Sequence, residues 1–91
     1  MNANTAALRD LVNNKFAGIN HGVRIKARWA VTNSDVVAVT EADADFAARL
    51  DSAAASLLAV IGGPFVTINH DAVRALDALR AEAHAIVVAH E

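Results

Sequence analysis

Cysteine is absent from the 91 residues, so disulfides, thiolate zinc sites and cysteine nucleophiles are excluded together. Tyrosine is also absent, and the aromatic set is only Phe16, Trp29, Phe46 and Phe65. With hydrophobic residues nonetheless at 55%, much of that fraction is alanine, and the expected core is built from small side chains. No long apolar run exists: the most apolar stretch, Ala53 to Ile61, falls far short of the roughly 20 residues of a membrane span. The opening Met-Asn-Ala-Asn-Thr lacks a basic segment followed by an apolar one, so no secretory signal is expected. Gly-x-Ser-x-Gly, phosphate-loop, Gly-x-Gly-x-x-Gly and His-Glu-x-x-His motifs are all missing. These features predict one soluble domain over residues 1–91, cytoplasmic or held in a particle assembled in the cytoplasm.

A chain of this length buries only about 60–70% of its extended surface, and such small cores gain burial by self-association. The net charge of −2 conceals an asymmetry. Residues 1–30 carry Arg9, Lys15, Arg24, Lys26 and Arg28 against Asp10 alone, a balance of +4; residues 31–91 carry three arginines against nine acids, a balance of −6. A cationic surface of this kind suits an anionic partner, including the acidic surface of a neighbouring copy. The acidity of the whole chain argues against nucleic acid.

Residues 22–32 alternate, with Val23, Ile25, Ala27, Trp29 and Val31 on one side and Arg24, Lys26 and Arg28 on the other, which predicts a half-buried strand with a cationic outer face. Asn33-Ser34-Asp35 is turn chemistry leading to a second strand, Val36 to Thr40. Before this hairpin, Asn4 or Thr5 caps a helix with apolar Leu8, Leu11, Val12 and Phe16, ended by Gly18. After it, Thr40 and the acids Glu41, Asp43 and Asp45 open a helix over about 41–61, carrying Phe46, Leu50, Ala53, Leu57 and Val60 and stopped by Gly62-Gly63-Pro64. Phe65 to Ile68 suits a third strand, and a last helix starts at Asp71 with Val73, Leu76, Leu79, Ala83, Ile86 and Val87 on one side. Its tail, residues 85–89, suits helix or a fourth strand, with helix preferred. The expected fold is therefore α+β: an antiparallel three-stranded sheet covered by helices, in the order α-β-β-α-β-α, ferredoxin-like without its first strand.

Gly22-Val23-Arg24-Ile25 running into Ala27-Arg28-Trp29, Val39-Thr40-Glu41-Ala42-Asp43 opening a helix, and Phe65-Val66-Thr67 followed by Asp71-Ala72-Val73-Arg74-Ala75-Leu76 resemble the small bacterial proteins of unknown function in the dimeric α+β-barrel superfamily. The resemblance spans about residues 20–76. It implies two sheets facing across a two-fold axis and, in some members, a cleft used for oxygenase, isomerase or haem chemistry. The chain departs from the pattern at the central first strand, which nothing before Thr5 can supply, so another chain, the C-terminal segment or direct pairing of the remaining strands is expected to fill that place.

The candidate site residues are few. His21 and His70 lie in matching tetrads, Ile19-Asn20-His21-Gly22 and Ile68-Asn69-His70-Asp71; if these met, the two imidazoles and Asp71 could hold a ligand or metal or act as acid and base. The plainer reading makes them turn and cap residues, with no metal and no cofactor. Arg24, Lys26 and Arg28 are the candidate contacts to an anionic partner, and Trp29 is either the core anchor of its strand or the wall of a pocket. The sequence thus predicts a non-catalytic homo-oligomer, at least a dimer, serving assembly in something such as a viral or filament particle. The alternatives are a small-molecule enzyme or binding protein of the barrel type, and an anion or nucleic-acid binding module.

Overall fold

Asn33 and Asp43 set the architecture. The computed structural model describes residues 2–13, 21–59 and 70–91, and in it each of these two residues is a lone extended position between helices, Asn33 at φ −61°, ψ 134° and Asp43 at φ −134°, ψ 109°. The Asn33 side chain accepts hydrogen bonds from the amides of Asp35 (2.9 Å) and Val36 (3.4 Å), and Asp43 does the same for Asp45 (2.9 Å) and Phe46 (3.2 Å). First-turn amides have no partner within their own helix, and Asn and Asp are among the best side chains at satisfying them. The elements that result are α1 (Ala3–Asn13), α2 (His21–Thr32), α3 (Ser34–Ala42), α4 (Ala44–Leu58) and α5 (His70–Ala89).

Every regular element among the described residues is a helix, so the α+β fold, the three-stranded sheet and the resemblance to the dimeric α+β-barrel proteins are all overturned. The expected first strand is α2. Along it Val23, Ala27, Ala30 and Val31 turn inward, at spacings of four, three and one, while Ile25 and Trp29 face out. Ala30 breaks the strand alternation yet completes the helical stripe, and alanine is also the strongest helix former. The expected second strand is α3, which buries Val36 and Val39 at a spacing of three. Valine disfavours helix by only a fraction of a kcal/mol per residue, a preference that packing overrides. Thr40 lies inside α3 rather than capping the next helix, and the cap is Asp43 itself. The expected third strand, Phe65 to Ile68, and the stops at Gly18 and Gly62-Gly63-Pro64 lie outside the described residues.

The helical stripes that the spacing predicts belong to α1, α4 and α5. Leu8 and Val12 of α1, Phe46, Leu50, Ala53 and Leu57 of α4, and Val73, Leu76, Leu79 and Ala83 of α5 join the α2 and α3 residues in one apolar cluster. Residues 85–89 are helical. The backbones of α1, α2, α5 and α4 touch in cyclic order, whereas among the described residues α1 and α5 do not meet, nor do α2 and α4. The four helices therefore stand as the corners of a bundle, with α2 diagonally opposite α4. The short α3 packs on α5 and touches both α2 and α4, bridging that diagonal.

Asp51 of α4 closes the amino end of α1. Its Oδ1 accepts from the Thr5 amide (2.8 Å) and the Thr5 hydroxyl (3.1 Å), and Oδ2 accepts from the Asn4 side-chain amide (3.1 Å), which leaves the fully buried Thr5 hydroxyl satisfied. Burial pushes the Asp51 carboxyl up, but these hydrogen bonds, from the Thr5 amide foremost, outweigh it and hold the group below the usual carboxylate range. A carboxylate lowered in this way adds stability that is complete above its unfolded pKa of about 3.9 and is lost as pH falls through the folded value. Asp51→Ala should cost about 1 kcal/mol at neutral pH, the worth of a helix cap. Urea titrations should show the gap to wild type closing as pH falls below about 4; a gap independent of pH would contradict this role.

Candidate functional site

The outer face of α2 is the most unusual surface among the described residues. Ile25 is 44% exposed and Trp29 66% exposed, one turn apart, at the middle of the side that points away from the bundle. The helical period puts Arg28 on one edge of this pair and Lys26 on the other. Both cations are exposed and neither is ion-paired among the described residues. Trp29 is thus placed outside the core. It is held by α5, whose Arg80 guanidinium lies 5.6 Å from the ring centroid, an arrangement worth about 0.5–1 kcal/mol at an exposed site. An apolar centre with a charged rim is the layout of a protein interface.

The strand reading would have set Arg24, Lys26 and Arg28 side by side, and the helix separates them. Arg24 reaches back to α1, where its guanidinium donates to the Val12 carbonyl at 3.4 Å, close to the carboxyl end of that helix, where a cation is favoured. Only Lys26 and Arg28 flank the aromatic face.

His21 and His70 open α2 and α5 respectively. The His21 side chain lies outside the described residues, so their meeting is not described. His70 is exposed, and Asp71, also exposed, is engaged by Arg74 one turn on. Among the described residues no group of three or more His, Asp or Glu side chains is placed to hold a metal ion.

The remaining charges tie helices together. Arg49 of α4 makes a two-pronged pair with Glu82 of α5 at 2.7 and 2.8 Å, in place of the Asp45 partner that spacing alone suggests. The hydrogen bonds between them raise the Arg49 pKa and lower that of Glu82. Both are solvent-exposed, so the pair registers α4 against α5 more than it stabilises. On the other side of α5, His84 Nδ1 sits 3.0 Å from Asp35 Oδ2 of α3.

Among the described residues two grooves lie along α5. One, of about 460 Å³, runs between α4 and α5 over Ser52, Ala53, Ser56, Ala75 and Ala78 and ends at the Arg49–Glu82 pair. The other, of about 560 Å³, opens between α3 and the last turns of α5, with Ala38, Val39, Ala42, Ile86 and Val87 as its apolar lining and Asp43, His90 and Glu91 at its margins. Neither groove was foreseen from the sequence, although the pattern Val23, Ala27, Ala30, Val31, read as a helix, leaves Ile25 and Trp29 outside and would have found the aromatic face. No family model, curated protein or solved structure matches this chain.

Proposed function

We propose that this is a non-catalytic assembly protein that associates with copies of itself, as in a particle or filament built in the cytoplasm. The observation that carries the reading is the exposed Ile25–Trp29 pair on α2, flanked by Lys26 and Arg28. Exposed tryptophan is costly to leave in water, and Trp and Arg are the residues that most often dominate association energies. The opposite charges of the two parts of the chain supply both signs needed for a contact between like molecules. No helix of the described residues is long and apolar enough to cross a membrane. A barrel-type enzyme has no support, because its cleft requires a sheet and the elements observed are helices.

Light scattering on a concentration series should show the mass rising to at least a dimer. Trp29→Ala should move the midpoint at least tenfold higher in concentration, the minimum expected of a dominant contact. A wild-type chain that stays monomeric across the series overturns the reading. A second reading, an anion or nucleic-acid binding module, draws on the same tryptophan, because an exposed ring among Lys26, Arg28 and Arg80 can stack on a base. It requires salt-dependent binding of a labelled single-stranded oligonucleotide that is lost in Lys26→Gln/Arg28→Gln.

A further inference from the structure

We infer that the Ile25–Trp29 face of one copy seats in the groove between α3 and the end of α5 of a second copy. The inference rests on the self-association proposed above and names its receiving surface.

The two surfaces match in shape and in charge. The α2 face is an apolar ridge, Ile25 and Trp29, edged by Lys26 and Arg28. The groove is an apolar trough of about 560 Å³, within the usual range of ligand pockets and so large enough to take a side chain of indole size. Its margin holds Asp43, Glu91 and His90, and Glu41 and Asp45 are exposed on either side of Asp43, so acids predominate there. Arg49 is hydrogen-bonded to Glu82 and also feels Asp43 and Asp45, whereas Glu41 and Glu91 carry no ion pair among the described residues. A cation-edged ridge entering an acid-edged trough brings opposite potentials together and excludes water from the apolar centre.

The occupant must come from another molecule. Within its own chain Trp29 is stacked on Arg80, about two turns of α5, or roughly 10 Å, before Val87. Since the two patches are unlike, the contact is made either twice about a two-fold axis or head to tail in an extending series.

Charge reversal on each side, with light scattering as the readout, tests the match. Lys26→Glu/Arg28→Glu and Glu41→Lys/Glu91→Lys change exposed residues that neither cap a helix nor carry an ion pair among the described residues. Each variant alone should associate at least tenfold more weakly than wild type, and an equimolar mixture should recover, because the unaltered ridge of one variant then meets the unaltered trough of the other. Ala38→Arg, at an exposed position inside the groove, should abolish association while circular dichroism and the thermal midpoint stay as in wild type. If wild type associates and Trp29→Ala prevents it, but Ala38→Arg and the acid reversals have no effect, the groove is not the receiving surface, although the chain still self-associates through α2. A wild type that never associates overturns both, and so does one whose Lys26 and Arg28 bind the oligonucleotide while it stays a monomer.

Discussion

Phe46→Ala should lower the stability of the fold by about 3–5 kcal/mol, the range for removing a large aromatic from a packed core. Among the described residues Phe46 is the largest fully buried side chain, and the other buried members of its cluster are leucine, valine and alanine. Phe46 also begins the α4 stripe, with its amide on the Asp43 cap, so truncation loosens the start of the helix as well as its packing. Urea denaturation would show the loss as a lower midpoint at unchanged slope. A change below about 1 kcal/mol would mean that the site collapses around the smaller residue or that Phe46 is not central.

Ala30→Lys should be comparably severe, at about 3 kcal/mol or more, since it places a larger side chain and an unpaired charge at a fully buried position. Trp29→Ala, one residue earlier, should change the stability of the monomer by no more than about 1 kcal/mol, chiefly the lost stacking on Arg80. The two neighbours make a sharp discriminator. A strand over residues 22–32 would turn Trp29 inward and Ala30 outward, reversing the order of the two effects. Thermal melts of both variants therefore test the helical assignment of α2 directly.

The helices that could be read from the sequence were those whose stripes contain leucine and phenylalanine. Leu8 and Val12 in α1, Phe46, Leu50 and Leu57 in α4, and Leu76 and Leu79 in α5 recur at three and four, and no strand register accounts for them. For α2 and α3 the pattern was ambiguous. Val23 and Val31, eight residues apart, share a face both in a strand and in a helix, and Ala27 and Ala30 are too weakly apolar to decide between the two periods. The β-branched run Val36-Val37 and the polar triplet Asn33-Ser34-Asp35 then invited a hairpin. Asn is a turn residue and a helix cap by one mechanism, a short side chain accepting hydrogen bonds from backbone amides just ahead, so its presence marks a boundary without specifying whether a helix or a strand comes next. The cationic charge on α2 was legible from composition. Its placement around Trp29 was not, because that depends on the period along which the chain is wound.

Because Asn33 and Asp43 each occupy the whole of a junction, residues 21–58 have no slack in which to absorb a change of length. Loss or gain of one residue within α3 would rotate α2 relative to α4 by roughly 100°. The tryptophan would swing round the rim of the molecule and a different set of side chains would meet the core. Most substitutions at exposed sites leave that geometry alone, but insertions and deletions here do not. In this protein, the count of residues between two polar caps fixes the direction in which its most adhesive surface faces.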